Sequence, residues 1–130
     1  MKKSLSMALA ALLLSPLAGY AVSVWDGTTD TSWEQDANGN YLITSAAELA
    51  GLAKVVNENK LVYQANTELH ASYGKGMTFL LTEDIDLGNR NWNPIGYLAK
   101  DNLTNTNRVK RFFCGTFDGQ GHTITNCNAS

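Results

Sequence analysis

The sequence predicts a mainly β protein in which one helix precedes the coils of a β-solenoid. Short runs of β-forming residues recur in the second half of the chain, as in "TFLLTEDIDLGN" from Thr78 to Asn89. Glycines break these runs at corners such as Asp118–Gly121, because glycine adopts a positive φ at little cost. A single stretch carries apolar residues at helical spacing. Short strands, polar corners and one helix together favour stacked coils over a closed small domain.

Residues 1–21 have the order of a secretory signal peptide. Two lysines come first, an apolar run follows from Met7 to Leu14, and Gly19 and Ala21 supply small residues before the expected cut. The apolar run is too short to cross a bilayer, so no membrane span is expected after signal removal. We therefore expect an exported protein, located in the periplasm, at the cell surface or outside the cell, whose mature chain begins at Val22.

The mature chain is expected to be mildly acidic. The full sequence holds 10 basic and 12 acidic residues, and removal of the two lysines in the signal leaves 8 basic residues against those 12. An acidic protein repels nucleic acids and anionic membranes. Neither is expected as a partner.

The segments around the predicted helix differ in composition. Residues 22–44 form a polar and aromatic N-terminal segment, and residues 45–60 form an amphipathic capping helix, helical from about Ala46 to Glu58. Ser45 and Glu48 match a capping box, in which the hydroxyl and the carboxylate each satisfy a backbone amide at the helix start. The expected apolar stripe consists of Leu49, Leu52, Ala53 and Val56.

The remainder of the chain divides into two parts. Residues 61–77 have no clean periodicity and are predicted to be an irregular insertion or loop, whereas residues 78–130 are predicted to be the first solenoid coils. No successor covers the last strands, so the solenoid is expected to be incomplete at the C-terminus. The expected strands are Phe79–Leu87 with a bulge at Thr82–Asp84, Phe113–Phe117 and Thr123–Thr125.

Cys114 and Cys127 are an even pair in a chain predicted to be exported, so a disulfide is permitted. The two cysteines would lie nearly opposite each other if the chain between them folded as a hairpin about Gln120 and Gly121. The alternative is that both are reduced, with Cys127 a small apolar core residue. The geometry of the pair decides between the two.

Three aspartates are the candidate metal ligands. Asp84 and Asp86 are two residues apart on a predicted strand and share a face, and Asp118 can lie near them. Ca²⁺ prefers several such oxygens, and two carboxylates flanking a glycosidic bond suit sugar hydrolysis. The favoured alternative is that they are ordinary strand and turn residues, so no metal or cofactor is expected. His122 is expected to form a hydrogen bond at a coil corner.

Exposed aromatic residues provide candidate ligand contacts. Trp92 and Tyr97 are the candidate stacking residues, because an exposed aromatic face suits a pyranose ring. Trp25 and Trp33 stand before the helix, where the favoured role is to shield the apolar end of a solenoid from water.

Four phrases, in this order, make the chain similar to a known group of proteins. "WDGTTDTSW", "ITSAAELAGLAKVVN", "FLLTEDIDLGNRNWNPIG" and "FCGTFDGQGHTITN" resemble the N-terminal region of bacterial exported surface proteins that carry GLUG repeats. The resemblance extends from Trp25 to Asn126. It implies a short helix followed by the coils of a right-handed parallel β-helix of the pectin-lyase-like kind.

The same resemblance implies a function. A non-catalytic structural or adhesive module is expected at the N-terminus of a secreted or cell-surface protein, with no catalytic residue of its own. The partners expected are an extracellular carbohydrate, a host or cell-surface protein, and downstream domains of the same chain. The alternative is the start of a carbohydrate-active β-helix enzyme, or the N-terminal module of a secreted protease.

Overall fold

The computed structural model describes residues 23–65, 68–100 and 108–129. In these residues the protein is mainly β, with one helix, α1 (Ala46–Glu58), and several small sheets. The strands are β1 (Glu34–Gln35), β2 (Tyr41–Ile43), β3 (Val62–Ala65), β4 (Glu68–Tyr73), β5 (Thr78–Leu81), β6 (Ile85–Asp86), β7 (Asn91–Trp92), β8 (Tyr97–Lys100), β9 (Arg108–Phe113), β10 (Thr116–Asp118), β11 (Ile124–Thr125) and β12 (Asn128–Ala129).

The predicted signal peptide lies outside the described residues, as does the predicted mature N-terminus at Val22. Over the described ranges, the structure contains no helix with the length and apolar character needed to cross a membrane.

The predicted helix is confirmed over Ala46–Glu58. Ser45 is extended and its hydroxyl accepts a hydrogen bond from the Glu48 amide at 3.2 Å, so the predicted N-cap is confirmed. The second arm of the capping box differs from the prediction. The Glu48 carboxylate accepts from the amide of Thr44 at 2.6 Å and from its hydroxyl at 2.8 Å, one residue before the cap.

The apolar stripe of α1 packs onto one core. Phe79 is at its centre with no exposed surface, and three aromatic rings surround it at centroid distances of 5.1 Å (Trp33), 5.1 Å (Tyr41) and 5.9 Å (Phe113). The buried residues of the cluster are Ile43, Ala46, Leu49, Leu52, Val56, Phe79, Leu81, Ile85 and Leu87. Burial of this apolar area is the main source of stability for the fold.

Three parallel ladders form the part of the fold beneath α1. β5 lies between β2 and β10 and is parallel to both, β6 is parallel to β11, and β7 is parallel to β12. In the pairs β6–β11 and β7–β12, residues that face each other across the ladder are 37 to 39 positions apart in the sequence, as for Asn128 with Asn91 and Ile124 with Ile85.

Polar residues form corners between the strands of the parallel ladders. Asn89 and Asn126 both have positive φ, of 58° and 56°, and the Asn89 amide donates to the Asn126 carbonyl at 3.0 Å. Asparagine tolerates this left-handed conformation better than most residues, so the expectation that polar residues make the corners is confirmed here.

Two details of the predicted strands are wrong. The expected bulge at Thr82–Asp84 is a corner, because Leu81 ends β5 and Ile85 begins β6 in a different sheet. The expected single strand over Phe113–Phe117 is two strands, since Phe113 ends β9 and the chain enters another sheet at Thr116.

Residues 61–77 are not the irregular loop that was predicted. β3 and β4 form an antiparallel hairpin, β4 pairs in parallel with β9, and β9 is antiparallel to β8. The resulting four-stranded mixed sheet packs against α1, where Ala71 and Val109 are buried.

Candidate functional site

A cleft of about 380 Å³ lies between the N-terminal segment, α1 and β7. Trp25 and Trp92 lie in it with ring centroids 5.5 Å apart and an interplanar angle of 71°. Edge-to-face contact of this kind is a favoured aromatic geometry. The lining residues are Trp25, Gly27, Thr29, Ala50, Ala53, Lys54, Asn57, Glu58, Asn91, Trp92 and Asn93, and we call this surface the tryptophan cleft.

Backbone and side-chain hydrogen bonds position Trp25. Its amide donates to the Asp86 carbonyl at 2.9 Å, and its indole Nε1 donates to the Thr28 carbonyl at 2.8 Å. The Arg90 guanidinium donates to the Trp25 carbonyl at 2.9 Å. Because both ends of the residue are held, the indole keeps a fixed orientation in the cleft.

The wall formed by α1 is made of small residues. Ala50 and Ala53 are buried on this face, and Gly51 lies against the N-terminal segment, where an added methyl group would collide with the Asp30 carbonyl. The Asp30 amide donates to the Ala47 carbonyl at 2.9 Å. The close approach of the segment depends on the absence of a side chain at position 51.

The rim of the tryptophan cleft is polar. Lys54 and Glu58 form an ion pair at 2.9 Å, with exposed side-chain fractions of 48% and 64%. Asn57 is fully engaged, since its amide group donates to the Pro94 carbonyl and accepts from the Gly96 amide, both at 2.8 Å. Among the residues that the structure describes, Asn93 makes no hydrogen bond through its side chain.

Asn91, on the opposite rim of the cleft, contacts Asn128 of β12. Asn91 accepts a hydrogen bond from the Asn128 amide group at 3.2 Å, and the same Asn128 group lies 3.4 Å from the Asn89 carbonyl. Glu58 is the one carboxylate in the described lining, and it is paired with Lys54. A pair of carboxylates able to act as acid and base on one bond is not among these described residues.

The structure separates the two predicted stacking residues. Trp92 lies in the tryptophan cleft, whereas Tyr97 lies in β8, where its hydroxyl accepts from the Arg111 Nε at 2.9 Å and the guanidinium carbon is 5.6 Å from the ring centroid. Trp25, which was assigned a capping role, shares the cleft with Trp92. Trp33 packs on Phe79 and donates to the Glu48 carbonyl at 3.0 Å, as expected of a residue that shields the core.

Asp84 and Asp86 accept hydrogen bonds from residues on either side of β11. Asp84 accepts from the Thr123 amide at 3.0 Å and lies 3.1 Å from the His122 Nδ1, so the predicted corner hydrogen bond of His122 is confirmed. Asp86 accepts from the Asn126 amide group at 2.8 Å. The Thr123 amide holds the pKa of Asp84 below its ordinary value, and Asn126 has the same effect on the pKa of Asp86.

Asp118 is engaged within its own corner. Its carboxylate accepts from the Gln120 amide at 2.9 Å and from the Gln120 side chain at 3.0 Å, which lowers the pKa of Asp118. In the described part of the chain, no group of three or more histidine, cysteine, aspartate or glutamate residues is placed to hold a metal ion.

Both cysteines are free and exposed. The hairpin that would have placed them opposite each other is wrong, because β10 pairs with β5 and β11 with β6 rather than with each other. The chain between Cys114 and Cys127 continues around the turn instead of folding back, so the disulfide is not formed.

The tryptophan cleft was not predicted as a unit. Trp92 was singled out and Trp25 was considered but assigned a capping role, whereas Ala50, Ala53 and Asn93 were not named. The available signal was the helical spacing of Ala46, Ala50, Ala53 and Asn57, which places small residues along one line of α1.

No model of a known protein family matches this chain, and comparisons with curated proteins and with solved structures found no match. The resemblance to GLUG-repeat proteins therefore stays a prediction.

Proposed function

We propose that this chain is a non-catalytic structural module that caps and begins a right-handed parallel β-solenoid on an exported bacterial surface protein. The observation that carries the proposal is the common spacing of the three parallel ladders. All three pair residues 37 to 39 positions apart, as for Thr116 with Thr78, Ile124 with Ile85 and Asn128 with Asn91. Stacked coils produce this relation because each coil repeats the path of the one before it.

The helix supports the capping part of the proposal. α1 lies over the apolar interior, where Leu52 and Val56 have no exposed surface and contact the cluster around Phe79. A terminal coil exposes the apolar interior of a solenoid unless another element covers it. α1, with Trp33 beside it, provides that cover.

The aspartates support a structural role. Asp84 and Asp86 each accept hydrogen bonds from the next turn, and Asp118 accepts from its own corner. Each carboxylate accepts hydrogen bonds from groups at a corner that would otherwise bond to water, which is a structural use of the side chain. Export is proposed from the signal-peptide pattern of residues 1–21.

A helix substitution tests the capping role. Val56→Asp places a carboxylate in the apolar interior, and we expect it to abolish the cooperative melting transition and the amide-exchange protection of β5 and β10. Lys54→Ala on the exposed face of the same helix is the control and should retain both. Wild-type protection of β5 and β10 in Val56→Asp would contradict the capping role.

An activity assay tests the non-catalytic role. The purified protein is incubated with polygalacturonate, with neutral polysaccharides and with casein, and the release of reducing ends, unsaturated uronates and peptides is measured. We expect no product above a boiled-protein control. Product formation that is lost in Asp84→Asn or Asp86→Asn would favour the enzyme alternative instead.

The N-terminus of the exported protein tests localisation. Mass spectrometry should find a mature chain that begins at Val22. Recovery of the protein outside the cytoplasm with Lys2 and Lys3 retained would contradict cleavage of the predicted signal.

A further inference from the structure

The geometry points to the tryptophan cleft as a binding site for a neutral saccharide. This goes beyond the structural role proposed above, and it depends on the cleft itself rather than on continued stacking of coils. The cleft volume of about 380 Å³ lies within the range of about 300 to 1,000 Å³ that small-molecule sites occupy.

The two indoles supply the apolar contact surface. Trp25 and Trp92 are half-buried, so part of each ring faces the cleft while the remainder packs on the core. The Trp25 indole is held by its Nε1 hydrogen bond to the Thr28 carbonyl. The backbone of Trp92 is held by the pairing of β7 with β12, and its ring packs edge-to-face on Trp25. A rigid indole gains contact area with little loss of conformational entropy on binding, and its face suits the C–H surface of a sugar ring.

A purely structural cap does not explain the empty volume beside the rings. A residue that only shields a core packs against bulky neighbours, as Trp33 does against Phe79 at 5.1 Å. Beside Trp25 and Trp92, α1 presents Ala50 and Ala53 instead, so a concave space is left open. Protein interiors are otherwise packed to high density.

The charges at the rim select the class of ligand. Lys54 and Glu58 are the two charged residues of the described lining and form an ion pair at 2.9 Å, so the lining has no net charge. Asn93 has both amide donor and carbonyl acceptor available among the described residues, and asparagine amides match the donors and acceptors of sugar hydroxyls. Aromatic faces with neutral amides at their edge fit a neutral saccharide better than an acidic one.

The indole protons give a test that needs no substitution. The protein is titrated with cellohexaose, laminarihexaose, xylohexaose, mannohexaose and chitohexaose, and the indole Nε1 resonances are followed by NMR. We expect at least one of these sugars to shift the Trp25 and Trp92 resonances and to leave that of Trp33 unchanged, since Trp33 packs on Phe79. Trigalacturonate should produce a smaller shift than the best neutral sugar.

Variants then assign the binding, measured by isothermal titration calorimetry with the sugar that gives the largest shift. Trp92→Ala should weaken the affinity by about tenfold or more, which is typical of the loss of a tryptophan anchor. Asn93→Ala, at an exposed position without a side-chain hydrogen bond, should keep the melting temperature and weaken the affinity by about threefold or more, as expected for one lost hydrogen bond. Tyr97→Ala removes an exposed aromatic outside the cleft and should keep the affinity of the original protein.

Two results would overturn the proposal. One is the absence of any indole shift with all five sugars at millimolar concentration. The other is binding that survives Asn93→Ala and Trp92→Ala unchanged but is lost in Tyr97→Ala, which would place the sugar on β8 instead. Neither result concerns the parallel ladders. The sugar-binding proposal can therefore fail while the structural proposal stands.

Discussion

The ladder region (β2, β5–β7 and β10–β12) and the outer sheet (β3, β4, β8 and β9) use the same helix in different ways. The ladder region buries Phe79, Leu81 and Ile85 completely or nearly so beneath α1. The outer sheet contributes the small buried residues Ala71 and Val109 to α1 and leaves Tyr97, Leu98 and Phe112 exposed. The large apolar residues of the core therefore come mainly from the parallel part of the fold.

The two regions also fix their strand registers differently. In the ladder region, the carboxylates of Asp84 and Asp86 accept hydrogen bonds from Thr123 and Asn126, on either side of β11. In the outer sheet, β4 and β9 are parallel over six residue pairs, and each is extended by an antiparallel neighbour. Side-chain hydrogen bonds therefore supplement the short backbone ladders of the ladder region, whereas the pairing of β4 with β9 in the outer sheet is longer.

The largest predicted difference between the regions concerns aromatic truncation. Phe79→Ala should lower the free energy of unfolding by about 3 to 5 kcal/mol, because it leaves a cavity at a fully buried position. Phe112→Ala in the outer sheet, where the residue is 43% exposed and its ring centroid is 5.6 Å from that of His70, should lower it by about 1 kcal/mol. Urea denaturation followed by circular dichroism measures both.

If Phe79→Ala does not fold, Phe79→Leu is the milder probe. It should also lower the free energy of unfolding, but by a smaller amount. Equal losses for the core and outer-sheet variants would contradict the assignment of the main core to the ladder region.

Two glycine substitutions should have opposite signs. Gly51→Ala would stabilise an ordinary exposed helix, but here the methyl group collides with the Asp30 carbonyl, so we expect a loss of about 1 to 3 kcal/mol. Gly119→Ala meets no atom within contact distance and needs no positive φ, so we expect a gain of about 0.4 to 1 kcal/mol. Thermal melting compares the two variants. A gain for Gly51→Ala would show that the N-terminal segment does not lie against α1.

Removal of the helix cap should have a moderate effect. Ser45→Ala deletes the hydroxyl that accepts from the Glu48 amide, and we expect a loss of about 1 kcal/mol in the free energy of unfolding. Ser45→Asp is the matched control, since aspartate also caps helices, and it should recover most of the loss. An unchanged urea midpoint in Ser45→Ala would contradict a stabilising cap.

The smallest predicted effect is a pH dependence of stability that arises from Asp84. Hydrogen bonds lower the pKa of Asp84 from 3.8, so the ionised form stabilises the fold. This contribution is fully present above about pH 4 and is lost as the pH falls through the lowered pKa. Asp84→Asn keeps an acceptor without a titrating group, and its melting temperature should therefore decline less between pH 5 and pH 2 than that of the original protein. An identical decline of the melting temperature in both proteins would show that Asp84 does not contribute to the acid sensitivity of the fold.

Local signals predicted part of the fold from the sequence. Ser45 and the helical stripe through Leu52 and Val56 specify α1, because a cap and a 3.6-residue period depend only on neighbouring residues. The outer sheet was missed although Leu69, Ala71 and Tyr73 alternate with polar residues along β4. Its pairing with β9 joins positions about 40 residues apart, and short alternations of this kind do not identify a distant partner.

The candidate site was harder to predict for the same reason. Trp25 and Trp92 are separated by most of the described chain, and only the path of β6 and β7 beside the N-terminal segment brings them together. The hairpin that would have allowed a disulfide between Cys114 and Cys127 is absent, because the glycines at this corner do not form the turn of a hairpin. Gln120 and Gly121 do have positive φ, but the turn leads to a new sheet.

Engineered disulfides test the parallel register of the ladder region most directly. In a Cys114→Ser and Cys127→Ser background, Asn91→Cys with Asn128→Cys and Thr78→Cys with Thr116→Cys place cysteines at directly paired positions. Both pairs should form intramolecular disulfides on mild oxidation, whereas Thr78→Cys with Asp118→Cys, two residues out of register, should not. Peptide mapping identifies the bonds. Failure of both paired variants to cross-link, together with a bond between Thr116→Cys and Thr125→Cys, would show a hairpin in place of the parallel turn and would contradict the proposed coils.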